Sequence, residues 1–305
     1  MPVQFSMSAL TFESCPENPS ASEVTRQELA QEKAQAVSFT GKSETGLHTI
    51  NGHGNSDPKV DNAKVMEKPA LYACSDLKGW LNKDGFEYKG LLLRRSFGGK
   101  WNKFSAVVDE ALNRLSNRYE LAVNVEVVDD QEQLSSKLIA AIDGILSKAQ
   151  LPELLSEQIR LDASQIGCTI ASLCPSSKHL TVKLEIFGKN SCSRWHIDHY
   201  VGRAIVSYTG EVGTEYTRDT NVDFWELKHC GNNDCVIKNK ELVKNVEVGD
   251  ILFMKGAKFS PGAAGLVHKS PAKRFHKDGR IVNRLVLKVD VPPLGGMDHI
   301  NNVLS

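Results

Sequence analysis

The stretch HLTVKLEIF, residues 179–187, divides the chain into a helical and a β-rich half. Its apolar residues at even positions alternate with Thr181, Lys183 and Glu185. Since successive side chains of a strand point to opposite faces, this alternation predicts a strand with one apolar face and one face towards water. Downstream patterns predict further strands at 203–210, 213–217, 235–239, 248–256, 264–270 and 280–291. So many strands without long helices between them predict a sandwich, a barrel or a jelly roll.

Upstream of residue 179 the spacing of apolar residues is helical. Segments 100–119 and 130–149 repeat apolar side chains at steps of three and four, and 151–167 starts another helix with Pro152 in its first turn. Segment 75–85 predicts a shorter helix, with Ser75 as its N-cap. We therefore expect 69–178 to be mainly helical.

The two ends of the chain are predicted to lie outside this domain. Residues 1–68 are rich in Ser, Glu, Asn and Gly and poor in large apolar side chains, which predicts a disordered N-terminal tail. Residues 293–305 form a short C-terminal tail. Together these boundaries give one α+β domain over 69–292.

Charge and cysteine usage limit the class of protein. The 37 Lys and Arg residues balance 37 Asp and Glu residues, so no nucleic-acid partner is expected. No apolar run is long enough for a membrane span, so no membrane partner is expected either. The seven cysteines are odd in number and irregularly spaced, which favours a reducing, cytoplasmic location; an organelle stays possible.

One cysteine pair stands out. The segment CGNNDC, residues 230–235, has a spacer that zinc could accept, but no second pair follows. We interpret it as a polar hairpin tip with two free thiols, with a structural zinc site as the alternative.

The segment SCSRWHIDHY, residues 191–200, contains the pattern H-x-D. His196 and Asp198 would point to the same side of a strand, with Cα atoms about 7 Å apart, so both could bind one ion. His268 in GLVHKSP, near the end of an apolar strand, is the candidate third ligand. Two histidines and one carboxylate are the ligand set of non-haem Fe(II) oxygenases. The alternative is a buried His–Asp hydrogen bond or a polar strand end.

The strands around these ligands resemble two known groups of proteins. VEVGDILFMKG, GLVHKSP and NRLVLKVD resemble the last strands of jelly-roll Fe(II)/2-oxoglutarate dioxygenases. The elements CSRWHID, SYTGEVGTEY and HKSP resemble a bacterial and algal family known as domain of unknown function 1826, over about 70–292. The resemblance implies a helical N-terminal half packed on a C-terminal double-stranded β-helix, which is a jelly-roll or cupin-like fold.

The resemblance also implies roles for further residues. In the dioxygenases an arginine or lysine on the strand after the distal histidine holds the far carboxylate of 2-oxoglutarate. Arg284 occupies that strand here, and because its spacing from His268 is longer than usual, Arg203 and Arg274 are substitutes. Thr209 is a further candidate for binding the acid, and Tyr208 and Glu215 are candidate catalytic residues beside it. Ordinary packing or a turn position is the alternative for both.

Three functions follow. The first is an Fe(II)/2-oxoglutarate-dependent oxygenase, of the hydroxylation or demethylation type, acting on an unknown small-molecule or protein substrate. The second is a non-catalytic protein of metal homeostasis that binds zinc or iron, since some bacterial members of the family are associated with metal-homeostasis genes. The third is an interaction module on a degenerate β-helix fold.

Overall fold

The computed structural model describes residues 68–95, 97, 100–114 and 120–293; for 112–114 and 120 it describes the backbone only. Apart from their innermost residue, the predicted tails 1–68 and 293–305 lie outside these ranges. Within them, no helix is both long enough and apolar enough to cross a membrane.

A seven-stranded main sheet forms the frame. Its strands, in chain order, are β1 Leu71–Cys74, β2 Gly90–Leu93, β3 Glu120–Glu126, β4 His179–Phe187, β5 Gly202–Ser207, β8 Ile251–Lys255 and β10 Arg284–Val291. Their order across the sheet is β1-β2-β8-β5-β10-β4-β3. Only the β1–β2 pair is parallel; the other neighbours are antiparallel.

Three helices cover one face of this sheet: α1 Ser105–Arg114, α2 Gln131–Ala149 and α3 Glu153–Leu173. The Asp130 side chain caps α2 by accepting hydrogen bonds from the amides of Glu132 and Gln133. One continuous apolar core joins α2 and α3 to the even-numbered side chains of β4 and to the neighbouring strands. This core confirms the helical spacing of 130–149 and 151–167.

A smaller antiparallel sheet contains β6 Glu215–Thr217, β7 Lys244–Asn245 and β9 Val267–Lys269, in the order β7-β6-β9. A single bridge between His196 and His268 extends it by one position beyond β9. Two short helices, α4 Phe224–His229 and α5 Asn233–Val236, lie in the connection between β6 and β7.

Several local predictions were wrong. The strand predicted at 235–239 begins inside α5, and Ile237 makes only an isolated bridge with Val222. CGNNDC is not a hairpin tip, because Cys230 ends α4 and Cys235 lies in α5. Segment 75–85 forms two 3₁₀ helices, Leu77–Leu81 and Lys83–Glu87, of which the first is capped by Asp76 rather than Ser75.

The predicted helical half also contributes three strands, β1, β2 and β3, to the main sheet. Both edge strands of the main sheet, β1 and β3, therefore come from the part of the chain that was predicted to be helical. β1 and β2 are only four residues long, and β2 is apolar throughout, so neither carries an alternation that marks a strand.

The polar face of β4 is less exposed to water than predicted, since Thr181 and Lys183 are half-buried and Glu185 is buried. Glu185 on β4 and Lys288 and Asp290 on β10 are all buried. Lys288 forms an ion pair with Glu185, and Asp290 is contacted by Arg203 of β5 and by Lys183. The face away from the helices is therefore a buried layer of paired charges, which matters for the site beside it.

Candidate metal centre

The two histidines are joined through their backbones. His196 and His268 each donate their amide N–H to the other's carbonyl oxygen, both at 3.0 Å. Residues paired in this way in an antiparallel bridge have their side chains on the same face. The two imidazole rings accordingly lie with their centroids 4.4 Å apart.

Asp198 completes the group from the same segment as His196. Its Oδ1 lies 3.6 Å from Nε2 of His196, and its Oδ2 lies 3.7 Å from Nε2 of His268. The ligand atoms of the three side chains all lie within 4.8 Å of one another. Asp198 and His268 are buried, while His196 is partly exposed. The structure thus brings the three predicted ligands together; that they bind a metal stays a prediction.

Backbone carbonyls fix the orientation of both rings. Nδ1 of His196 donates to the carbonyl oxygen of Arg194 at 2.8 Å, and Nδ1 of His268 donates to that of Leu266 at 3.0 Å. A carbonyl oxygen can only accept, so Nδ1 carries the proton in each ring and Nε2 faces Asp198. Metal-binding histidines are held in this way, with the second ring nitrogen hydrogen-bonded to a carbonyl or a carboxylate.

The charge states suit a cation. Burial lowers the pKa of His268 to about 4, so at neutral pH its Nε2 presents a lone pair to Asp198. Burial alone would raise the pKa of Asp198, but His196, Arg203 and His268 together hold it well below its usual range. Burial alone would lower the pKa of His196, but the Asp198 carboxylate and the Arg194 carbonyl outweigh burial, so this pKa is raised. Two acceptors, the His268 lone pair and the carboxylate, therefore face each other, and a divalent cation between them would satisfy both.

The group opens into a cavity of about 120 Å³. Three basic side chains line it: Arg203, Lys269 and Lys288. Each is paired with an acid. Arg203 donates to Asp198 at 2.9 Å and, through two nitrogens, to Asp290 at 2.5 and 3.1 Å; Lys269 pairs with Glu215 and Lys288 with Glu185. Sequence reasoning named Arg203 but missed Lys269 and Lys288 as cavity residues, because their partners lie on other strands.

Arg284 lies apart from this cavity. It lines a neighbouring one, together with Gly210 and the segment 271–274, and Phe187 borders both. Its guanidinium lies 5.4 Å from the centroid of the Phe187 ring. Burial lowers the pKa of Arg284 to about 10, partly offset by the charge of Glu215. Within the part of the chain that the structure describes, no ion pair or hydrogen bond of this guanidinium is found.

Gly210 makes room for Arg284. Its backbone has φ = +108°, and a Cβ there would approach Cγ of Arg284 to 2.7 Å. A residue other than glycine would therefore be strained in its backbone and would clash with the arginine. Arg274, the other predicted substitute, borders the same cavity and pairs with Glu211 on the surface.

The predicted contact of Tyr208 with the site is wrong. Tyr208 is fully buried on the helical side of the main sheet, where its hydroxyl donates to Asp162 of α3 at 2.7 Å. Thr209 is also enclosed, and its Oγ1 accepts from the amide of Leu285 at 2.9 Å, which ties the end of β5 to β10. Neither hydroxyl is free to bind an acid in the cavity. Glu215 does lie beside it, as the partner of Lys269.

Comparison with solved structures gives distant likenesses. The dioxygenase for auxin oxidation 1 from Arabidopsis thaliana, in complex with 2-oxoglutarate, matches 74% of this chain and 92% of its own, at 8% identity and a TM-score of 0.42. The dioxygenase for auxin oxidation from rice matches 74% and 83%, at 10% identity and a TM-score of 0.38. HygX from Streptomyces hygroscopicus, with nickel and 2-oxoglutarate bound, matches 67% and 82%, at 12% identity and a TM-score of 0.35. These likenesses are too weak to assign a function.

Comparison with curated proteins finds no match. A family model does match, over residues 98–290, which is more than half of the chain and includes all three candidate ligands. The match confirms the family resemblance of the sequence elements around His196 and His268. The chain belongs to the family described as protein of unknown function (DUF1826).

Proposed function

We propose that this protein is a non-haem Fe(II) oxygenase that uses 2-oxoglutarate, with His196, Asp198 and His268 as the metal ligands. The observation that carries the proposal is the arrangement of the three side chains: both Nε2 atoms face one carboxylate within 3.7 Å, and both Nδ1 protons are held by backbone carbonyls. This is the ligand set of the facial triad, which leaves positions open for other molecules.

The strand order supports a double-stranded β-helix for the part of the chain that holds this group. In the main sheet β4, β10, β5 and β8 are consecutive, and opposite them lie the bridge at His196, then β9, β6 and β7. Successive segments of the chain thus alternate between the two sheets, except that β6 and β7 both belong to the smaller one; this is the order expected of a jelly roll. His196 and His268 lie at the end of the smaller sheet, and Asp198 follows His196 by two residues.

The chain's own residues would hold and orient the reactants. Arg203 fixes the Asp198 carboxylate and, through Asp290, ties it to the main sheet. Arg284 has the chemistry to bind a carboxylate with two parallel hydrogen bonds, and no acid paired with its guanidinium is found among the described residues. Iron bound by the triad would supply the redox chemistry that couples decarboxylation of 2-oxoglutarate to oxidation of a C–H bond.

The test is Fe(II)-dependent conversion of 2-oxoglutarate to succinate by the purified protein in air, without added substrate. We expect slow turnover that is lost in His196→Ala and in Asp198→Ala, and a raised KM for 2-oxoglutarate in Arg284→Gln. His199→Ala is the matched control, because His199 is exposed and adjacent in sequence and is not part of the group. If the wild-type protein binds iron but neither binds nor consumes 2-oxoglutarate, the oxygenase proposal fails.

A second function is favoured by one observation. The three arginine and lysine side chains that line the triad cavity are each paired with an acid, so among the described residues the cavity offers no free arginine or lysine to an acidic co-substrate. This suits a zinc- or iron-binding protein without catalysis. Stoichiometric zinc that stays bound in the presence of 2-oxoglutarate, with no succinate formed under iron, is the result that would favour it. The interaction-module hypothesis, the substrate and the location stay predictions.

A further inference from the structure

A second group of metal-ligating side chains lies on the two short helices between β6 and β7. The carboxylate of Glu226 and the thiols of Cys230 and Cys235 have ligand atoms that all lie within 4.8 Å of one another. Glu226 is half-buried and both cysteines are exposed. The sequence offered only the two thiols, since a third ligand four residues before Cys230 is recognisable only once α4 is known to be helical.

The backbone fixes the relative positions of these three residues. Glu226 lies on α4, and Cys230, four residues later, is the C-cap of α4 and keeps helical backbone angles, so their side chains share a face of the helix. The amides of Cys230 and Gly231 both donate to the carbonyl oxygen of Glu226, at 3.0 and 2.9 Å, and Gly231 has φ = +63°. This turn reverses the chain directly after Cys230 and returns Cys235 towards it.

The ends of the two helices are capped. The Asp223 side chain accepts from the amides of Trp225 and Glu226, and the Asn232 side chain accepts from that of Asp234. The amide of Asp223, just before α4, donates to the carbonyl oxygen of Val236, the last residue of α5, at 2.8 Å. The ligands therefore sit on a short closed unit, residues 223–236, rather than on a free loop.

Asn233 fastens this unit to the segment that leads into the candidate centre. Its Nδ2 donates to the carbonyl oxygen of Ser193 at 2.7 Å, and its Oδ1 accepts from the amide of Trp195 at 3.1 Å. A site whose ligands are already held in place loses less conformational entropy when an ion binds.

We propose that Glu226, Cys230 and Cys235 form a second metal site, which binds Zn²⁺ through two thiolates and one carboxylate, with water as the fourth ligand. Two soft sulfur ligands and one carboxylate are a donor set that zinc accepts in tetrahedral geometry. The exposure of both sulfurs leaves the fourth position open to solvent. The site is separate from the triad and does not depend on the oxygenase proposal.

Zinc binding at this site must release protons. Zinc is bound by the thiolate and not by the thiol. The ion replaces the thiol protons, so that up to two protons leave for each zinc bound and affinity falls as the pH is lowered.

The test is titration of the reduced full-length protein with Co²⁺, a spectroscopic substitute for zinc, followed by displacement with Zn²⁺. Thiolate–cobalt charge-transfer absorption reports sulfur ligands, so a metal bound at the triad does not produce it. We expect one equivalent of such absorption, abolished by added zinc and absent from the Cys230→Ser/Cys235→Ser variant. Glu226→Gln should weaken zinc binding by about 10- to 100-fold or more. Loss of a residue that only hydrogen-bonds to a metal ligand already costs that much, and Glu226 is proposed as a ligand itself.

Two matched controls make the test specific. Cys192→Ser removes the exposed cysteine that lines the triad cavity and should keep the absorption. Glu241→Gln changes an exposed glutamate nearby in sequence and should keep the affinity. Since the substituted cysteines are exposed, the serine variant should fold, which circular dichroism checks. Absence of the absorption in reduced wild-type protein, or its persistence in the double serine variant, overturns the proposal.

Discussion

Lys255 is a buried ammonium group, and its surroundings predict how stability depends on pH. The residue is 1% exposed, and its Nζ donates to the carbonyl oxygens of Gly85 and Phe86 at 2.7 and 3.1 Å. Burial lowers the pKa of Lys255 to about 8, from 10.5. Between these two values the unfolded chain binds more protons than the folded chain. The free energy of unfolding should therefore rise as the pH is raised through this window.

In a Lys255→Met variant we expect the free energy of unfolding no longer to rise with pH in this way. The full difference corresponds to roughly 3 kcal/mol, at about 1.4 kcal/mol for each pKa unit. Urea unfolding of both proteins at several pH values between about 8 and 10 measures it. Lys258→Met, at an exposed position three residues along, is the control and should keep the wild-type slope. Parallel stability curves for wild type and Lys255→Met would contradict the expectation.

Single residues were predictable where their partners are close in sequence. The pattern H-x-D placed His196 and Asp198 on one side, because the two residues are neighbours on one face of an extended segment. The role of Arg203 was not readable, because its second partner, Asp290, lies on the last strand. Tyr208 was misassigned for a related reason: it was placed on the predicted strand 203–210, but the sheet face on which it lies depends on register.

At the scale of elements, the packing of α2 against α3 rests on a glycine. A Cβ at Gly167 of α3 would meet the Leu138 side chain of α2, with its nearest atom at 2.5 Å. We expect Gly167→Ala to reduce the free energy of unfolding by about 1–3 kcal/mol, the usual cost of overpacking. Chemical denaturation measures this directly.

Gly144 of α2 is the matched control for that substitution. It is exposed, and a Cβ there would meet nothing within 4 Å. Gly144→Ala should therefore stabilise the protein by roughly 0.5–1 kcal/mol, through helix propensity alone. The two substitutions are the same chemical change on neighbouring helices, so equal effects would exclude the packing explanation.

The elements that sequence reasoning found are those with a sustained period. The helices α2 and α3 are long, and β4, β5, β8 and β10 carry apolar runs or alternation bounded by turn residues. β1 and β2 are short, and they become strands because β8 offers β2 an unpaired edge. α4 and α5 were missed because each is stabilised by a local cap, from Asp223 or Asn232, rather than by an apolar stripe.

At the scale of the whole molecule, the two faces of the main sheet differ in chemistry and in what they contribute to stability. The helical face is an apolar core, and the opposite face carries the buried ion pairs that surround the candidate centre. A buried ion pair contributes little net stability, because desolvation offsets the attraction between its charges. Most of the free energy of unfolding should therefore come from the apolar face, and little of it from the face with the ion pairs.

One polar network crosses that apolar core, and it gives the last prediction. Asp162 of α3 is 1% exposed and accepts from both terminal nitrogens of Arg95 at 2.6 and 3.0 Å, from the Tyr208 hydroxyl at 2.7 Å and from Gln158 at 2.9 Å. It joins the helical layer to the segments that follow β2 and β5. Removal of the carboxylate leaves a largely buried guanidinium without its acid.

We expect Asp162→Ala to reduce the free energy of unfolding by about 3–5 kcal/mol, the cost of leaving one member of a buried ion pair alone. Tyr208→Phe removes only one hydroxyl from the same network and should cost about 1 kcal/mol. Urea unfolding of the two variants beside wild type compares them. Since the carboxylate also pairs with Arg95, a loss in Asp162→Ala no larger than that in Tyr208→Phe would mean that this pair does not hold the helices on the sheet.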